Sequence, residues 1–252
     1  MDPKLVLAAF GGVGIGAVSA LTGTGGGTLL VPLFTLVLGL DIKTAIGTSL
    51  MTMPLTALSS IIVYRKIIDY RLGLMLELTT TLGAYLGAEA VTFIPTRALQ
   101  GIFAVVLGYV SLNMLRRKKS DNGELERGCA RLHLAMAASF FAGIFSGLLG
   151  IGGGTIKVPI MVLICNLSAK TAVATSMFMI AITSSVGALT HFSLGRAEPI
   201  LAIAAGAGLV LGARVGAKTA LKLEAHKVRR VFAVFLLLVS LRMGLEALGV
   251  IR

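Results

Sequence analysis

Two glycine-rich segments contain the residues whose types and spacing best suit ligand binding. The first runs from Gly23 to Pro32 and the second from Gly150 to Pro159, and seven of their ten positions are identical. Glycine permits unusual backbone dihedrals and lets a ligand approach the chain closely. If a helix begins directly after the glycines, at Thr28 and at Thr155, its free N–H groups and positive dipole end favour an anion. The segments therefore predict anion binding by backbone groups.

Hydroxyl residues beside and downstream of the glycines extend this predicted site. A Thr-Ser pair follows each segment at the same distance along the chain, and its hydroxyls could complete a polar cage. We expect the substrate site to comprise Gly25, Gly26, Gly27, Thr28, Thr48, Ser49, Gly152, Gly153, Gly154, Thr155, Lys157, Thr175 and Ser176. The alternative is that the glycines only allow close packing of helices.

A few charged residues fall within apolar stretches, where they are functional candidates by default. Lys157 replaces the Leu30 of the first segment, and it either supplies positive charge to an anion or extends to the membrane interface. Arg214 is expected to pair with Glu77 or Glu89, although these carboxylates could instead carry a coupling proton. His191 is expected at the interface.

The chain repeats itself at an almost constant offset. Gly23 matches Gly150, and Lys43 in a Lys-Thr-Ala stretch matches Lys170 at the same offset. Further matches, such as Phe103 with Phe232, follow at a slightly longer offset. We therefore predict two homologous repeats over residues 1–115 and 132–252, joined by a linker over residues 116–131.

The composition excludes a soluble protein. Apolar residues make up 56% of the 252 residues, charged residues only 13%, and the mean hydropathy is +0.93, whereas soluble domains are about a quarter charged. The net charge of +12 lies in short clusters between apolar runs, which indicates membrane loops and not a nucleic-acid surface. The glycine segments lack the Gly-Lys-Ser/Thr of a nucleotide site. We expect no enzyme activity, cofactor or bound metal, and Cys129 and Cys165 suggest neither a disulfide scaffold nor a metal site.

The apolar runs predict an all-α integral membrane protein. Each half reads as a glycine-interrupted unit followed by three spans of about 20 residues, the length that crosses a bilayer. Residues 28–40 would reach only about 20 Å as a helix. The unit is therefore either two short crossings or a hairpin that enters and leaves by one face.

Basic residues then indicate the orientation of the repeats. If the glycine-interrupted unit makes two crossings or none, the repeats are inverted and fifteen basic residues lie on one side against five on the other. The richer side is cytoplasmic by the positive-inside rule, and the linker lies there. The fifteen basic residues on this richer side are Arg65, Lys66, Arg71, Arg116, Arg117, Lys118, Lys119, Arg127, Arg131, Lys170, Lys218, Lys222, Lys227, Arg229 and Arg230.

These motifs resemble the TauE/SafE sulfite exporter family, also called the toluene-sulfonate uptake permease family. The resemblance rests on the duplicated glycine segments with their Val-Pro, on the Ala-x-x-Thr-Ser stretches from Ala45 and Ala172, and on the charged middle loop. The resemblance implies a carrier in the cell membrane that exports sulfite, thiosulfate or organosulfonates. Its expected partners are the lipid bilayer and a small sulfur-containing anion, and a coupling proton is a further candidate.

Two alternatives stay open at this point. Inverted repeats with shortened, glycine-interrupted segments are typical of secondary transporters with a site near the midplane. A passive anion channel could use the same opposed half-helices, and an importer could carry the same substrates inward.

Overall fold

The chain is helical throughout the part that the structure describes. This computed structural model describes residues 3–116, 129, 131–222 and 226–250, so most of the predicted linker lies outside the described residues. The helices are α1 (Pro3–Thr22), α2 (Gly27–Pro32) with a π-helical segment (Leu33–Val37), α3 (Ile42–Tyr64), α4 (Tyr70–Ala90), α5 (Thr96–Arg116), α6 (Leu132–Leu149), α7 (Gly154–Leu163), α8 (Ala169–Ser193), α9 (Pro199–Lys222) and α10 (His226–Ala247).

The molecule has the surface of a membrane protein. Five helices of the described part, namely α1, α3, α6, α8 and α9, are long and apolar enough to cross a membrane. Large apolar side chains point outward, for example Phe10, Leu78 and Phe93, which are 76%, 74% and 83% exposed. Such a surface would be unfavourable in water and suits a lipid environment. The all-α membrane fold expected from the sequence is therefore confirmed.

Each glycine-interrupted unit is a long helix, a short loop and a short helix. α2 begins at Gly27 and α7 at Gly154, directly before the threonines where the sequence predicted the helix starts. Pro32 ends α2, and beyond it Leu38 donates its N–H to the carbonyl of Leu33, which is the π-helical pattern. These short helices lie between the full-length spans and bring both glycine loops into the interior.

The major helix contacts join one half of the chain to the other. α1 packs on α9 and α4 packs on α6, while α3 packs on α8 and α5 on α10. Glycines make the first two contacts close: a Cβ on Gly16 would collide with the backbone of Leu209, and one on Gly87 with that of Ile144. The halves are therefore interlocked, and both buried apolar clusters contain residues from the two halves.

Helices at equivalent positions of the two halves run in opposite directions. Gly47 lies beside His191 while Leu50 lies beside Gly187, so α3 and α8 are antiparallel. α5 and α10 are also antiparallel, because Ala104 meets Ser240 and Gly244 while Gly101 faces Ala247. The described helices thus have the relative directions that inverted repeats require.

A disulfide joins Cys129 to Cys165. It connects the last part of the linker to the segment that follows α7. The spacing of the two cysteines along the chain did not indicate this pairing, because the fold of α6 and α7 is what brings their ends together.

Candidate functional site

Both glycine loops have backbone conformations that only glycine adopts easily. Gly25 and Gly26 have φ of 79° and 94°, and their equivalents Gly152 and Gly153 have φ of 69° and 72°. Gly26 and Gly153 occupy the N-cap positions of α2 and α7. The repeated glycines are therefore required first by the path of the backbone.

The two loops contact each other between the halves. A Cβ on Gly27 would meet the carbonyl oxygen of Gly150, and a Cβ on Gly154 would meet that of Gly23. The glycine loops of the two halves thus lie directly against each other. Their meeting leaves no room for larger side chains at Gly27 and Gly154, so close packing contributes to the glycine requirement as well.

The predicted Thr-Ser pairs hold the loops in place. Ser49 Oγ donates to the carbonyl of Gly150 at 2.9 Å, and Ser176 Oγ donates to that of Gly23 at 2.8 Å. Each serine therefore fixes the glycine loop of the opposite half.

Thr48 and Thr175 make a second reciprocal pair of contacts. Thr48 Oγ1 accepts the N–H of Glu198 and Thr175 Oγ1 accepts that of Asp69, both at 3.0 Å. All four hydroxyls of the Thr-Ser pairs thus bridge the two halves, a positioning role that sequence reasoning did not anticipate.

Four other buried hydroxyls near the loops make no hydrogen bond within the described part of the chain. They belong to Ser19, Thr28, Ser146 and Thr155, each at least nine-tenths buried. Ser146 lies beside the second loop, since its Cβ is 3.3 Å from where a Cβ on Gly153 would sit. The glycine motif pointed to the two threonines and not to the two serines, although Ser19 and Ser146 are equivalent at the offset that relates the two glycine segments.

Lys157 lies in the interior next to the second loop. Only 1% of it is exposed, and its Nζ is 3.2 Å from Oε2 of the equally buried Glu77. Thr183 joins the pair: its hydroxyl accepts from Lys157 at 2.5 Å and donates to Glu77. Lys157 therefore does not extend to the interface, and a carboxylate already neutralises it.

The other charged candidates lie elsewhere. Arg214 is exposed and Glu89 half-buried. Glu77 pairs with Lys157, so the pairing of Arg214 with Glu77 is wrong, while its pairing with Glu89 stays a prediction. His191 is fully buried, not interfacial, because its Nε2 lies 3.1 Å from the carbonyl of Gly147 inside the protein.

A cavity of about 700 Å³ opens on one face of the molecule, and most of its wall is apolar. Cys129 of the disulfide lines it, and its polar and charged lining residues are Lys66, Asp69, Tyr70, Arg71, Asn166 and Thr171. Basic and amide groups at an opening of this size could admit an anion from solution. We name this cavity the vestibule.

The comparison with known proteins identifies the kind of molecule. Residues 8–243 match the family model described as "Sulfite exporter TauE/SafE". The chain belongs to this family. Because the match covers nearly the whole chain, the resemblance seen in its motifs is confirmed.

Individual relatives agree with the family assignment. The chain is 29% identical to the "Probable membrane transporter protein YunE" of Bacillus subtilis, over 92% of this chain and 94% of that protein. It is 27% identical to a probable membrane transporter protein of Methanocaldococcus jannaschii, over 71% and 69%. It is 30% identical to "Sulfite exporter TauE/SafE family protein 5" of Arabidopsis thaliana, over 44% and 28%. No solved structure matches it. The chain is a multi-pass membrane transporter of the TauE/SafE type, not an enzyme.

Proposed function

We propose that the chain is a secondary transporter that exports small sulfur-containing anions such as sulfite, thiosulfate or organosulfonates. One observation carries the proposal: two glycine loops meet between the halves, beside buried hydroxyls that have no partner within the described residues. A buried donor without an acceptor costs free energy. A ligand with several acceptor oxygens would recover that cost, and an oxyanion fits this description.

The proposed site combines the loops with the starts of the short helices. Gly25 to Gly27 and Gly152 to Gly154 form its backbone walls, and Thr28 and Thr155 add hydroxyl donors. Backbone N–H groups at the start of α7 favour negative charge. The family description and the name of the Arabidopsis relative support a sulfur oxyanion as the substrate.

We propose alternating access between inverted repeats as the mechanism. The antiparallel pairs α3 with α8 and α5 with α10 support the inversion. The abundance of basic residues beside the vestibule supports a cytoplasmic opening there, through which a substrate would enter for export.

Flux measurements in proteoliposomes test this function. We expect saturable efflux of sulfite and thiosulfate, and unlabelled substrate outside should accelerate the exit of labelled substrate. Such acceleration requires a carrier, because it arises when substrate occupies the binding site on its return, and a channel has no return step. Flux that rises linearly with concentration and is not accelerated by outside substrate would indicate a passive anion channel instead of a carrier.

A further inference from the structure

The ion pair of Glu77 with Lys157 is built from three helices and both halves of the chain. α4 provides Glu77, α7 provides Lys157, and α8 provides Thr183, which contacts both charged groups. Thr81 Oγ1 donates to Glu77 Oε1 at 3.1 Å. The two charged residues are 3% and 1% exposed, so this is the deepest charged cluster in the described part of the molecule.

The pair lies beside the proposed anion site. The N–H of Lys157 donates to the carbonyl of Gly153 at 2.8 Å. The Lys157 Cε is 3.1 Å from the position that a Cβ on Gly153 would take. Ser146, whose hydroxyl has no described partner, borders the same point. An anion at the second loop would therefore meet the ammonium group of Lys157.

The other half of the molecule shows that the fold does not need this pair. At the repeat offsets, Leu30 stands for Lys157, Gly206 for Glu77 and Thr56 for Thr183. Leu30 is fully buried, so an apolar side chain takes the place of Lys157 in the first half, and Gly206 offers no carboxylate to pair with it. Buried ion pairs are weak stabilisers compared with apolar residues, so the retained charges indicate a function.

We propose that Glu77 is the proton-coupling group of the transporter, a role that rests on the proposed function. The substrate anion binds the ammonium of Lys157 in place of the Glu77 carboxylate. One proton then passes from hydronium in the surrounding solution to a carboxylate oxygen of Glu77, and this proton returns to the solution when the anion is released and the ion pair re-forms. A singly charged anion therefore travels with one proton.

Charge balance in the interior is the reason for this exchange. The empty site holds one positive and one negative side chain. After exchange it holds the ammonium, the anion and a neutral carboxyl, so its net charge is again zero. Without the proton, binding would leave one uncompensated negative charge in a low-dielectric interior, which is strongly unfavourable.

The described helices packed around Glu77 carry several charged or titratable groups, and Lys157 is the one that contacts Glu77. α6 carries His133, which is exposed, and α8 carries Lys170 near its start and His191 near its end. His191 is two helical turns beyond Thr183, or about 12 Å, and it contacts Gly147. On α4 itself, Arg71 lines the vestibule, and Tyr85 is exposed and Glu89 half-buried. Glu77 is thus distinguished from these groups by its contact with Lys157.

Titration of purified protein with methanesulfonate tests the proposal, because this singly charged anion does not change its own protonation near neutral pH. Calorimetry in two buffers of different ionisation enthalpy counts the protons taken up. We expect about one proton per methanesulfonate bound, so that affinity weakens about tenfold for each pH unit of increase, by reciprocal linkage. In Glu77→Gln, uptake should fall to about zero and the pH dependence should disappear.

Two further variants make the result decisive. Glu89→Gln, on the same helix but outside the pair, should keep the uptake of about one proton. The double variant Glu77→Gln with Lys157→Met lacks both charges. It should take up no proton and should bind the anion at least about tenfold more weakly. It replaces the single variant in the test if Glu77→Gln does not fold. Unchanged proton uptake in either Glu77 variant overturns the coupling role alone. Failure of wild-type protein to bind any sulfur oxyanion overturns the proposed function together with it.

Discussion

At the scale of single residues, the hydroxyl groups around the glycine loops divide into two kinds. Ser49 and Ser176 donate to loop carbonyls of the opposite half, so their role is to position the loops. Ser146 and Thr155 have no hydrogen-bond partner within the described residues, so their hydroxyls are free to bind a ligand. The two kinds should respond differently to the loss of the oxygen.

Removing a positioning hydroxyl should destabilise the protein. Ser49→Ala and Ser176→Ala each leave a buried carbonyl without its donor, and we expect a loss of about 1–3 kcal/mol. Ser185→Ala is the matched control, because Ser185 bonds only to the carbonyl of Ala181 in its own helix. Thermal unfolding in detergent measures the effect. Equal transition temperatures for Ser176→Ala and Ser185→Ala would contradict the positioning role.

Removing a free hydroxyl should weaken binding without loss of stability. Thr155→Val and Ser146→Ala break no hydrogen bond of the described structure, whereas each would remove a charge-assisted contact with the anion of about 1.5–3 kcal/mol. That corresponds to a loss of about ten- to a hundredfold in affinity. Ser139→Ala, in the same helix but two turns before Ser146, is the control. Wild-type affinity in both Thr155→Val and Ser146→Ala would place the anion elsewhere.

At the scale of helices, close packing at glycine holds the two halves together. α1 meets α9 and α4 meets α6 with no space for a Cβ at their crossing points. Interfaces between membrane helices rely on such small residues, because lipid provides no hydrophobic force between them. These glycines are therefore required by helix packing, whereas the loop glycines at positive φ are required by the path of the backbone.

Gly16→Leu should disrupt the fold, whereas Gly14→Leu in the same helix should not. The side chain at residue 16 would collide with the backbone of Leu209, while nothing lies within 4 Å of a Cβ at residue 14. We expect a cost on the order of 3 kcal/mol or more for the first change and about 0.5 kcal/mol or less for the second. Size-exclusion chromatography in detergent, followed by thermal unfolding, compares them. Equal behaviour of the two variants would exclude a tight contact of α1 with α9.

The sequence was sufficient to predict the helices and the starts of the two short helices, since both follow from hydrophobic spans and from the repeated glycine segments. It could not reveal the partner of Lys157, because Glu77 is far away along the chain and Arg214 was an equally plausible partner for Glu77 by composition. It also could not show that the Thr-Ser hydroxyls bond across the halves, because interlocking of α3 with α8 is a tertiary feature.

At the scale of the whole molecule, the two halves contribute equally to the scaffold and unequally to the charge. Each half places a short helix and a glycine loop in the interior, and the loops meet between the halves. Among the described residues, the charged pair occurs at only one of the two equivalent places. The scaffold is thus nearly symmetrical, whereas the distribution of buried charge is not.

Equivalent loops should lie on opposite sides of the membrane. Lys66 and Ser193 occupy equivalent positions in the two repeats, and both are exposed at the ends of equivalent helices. Lys66→Cys and Ser193→Cys, in a background without Cys129 and Cys165, can be labelled with an impermeant thiol reagent in intact cells and in inverted vesicles. We expect label at residue 193 only in intact cells and at residue 66 only in inverted vesicles. Label at both residues from one face would disprove the inverted repeats.

The central claim, an oxyanion site at the glycine loops, is tested most directly by competition for bound radiolabelled thiosulfate on the purified transporter. Sulfite and unlabelled thiosulfate should displace the label at concentrations at least about tenfold lower than chloride, because the donors around the loops match several oxygens and not one spherical ion. A cationic amine should not displace it at all. Binding of neutral or cationic solutes with no binding of any sulfur oxyanion would contradict the account.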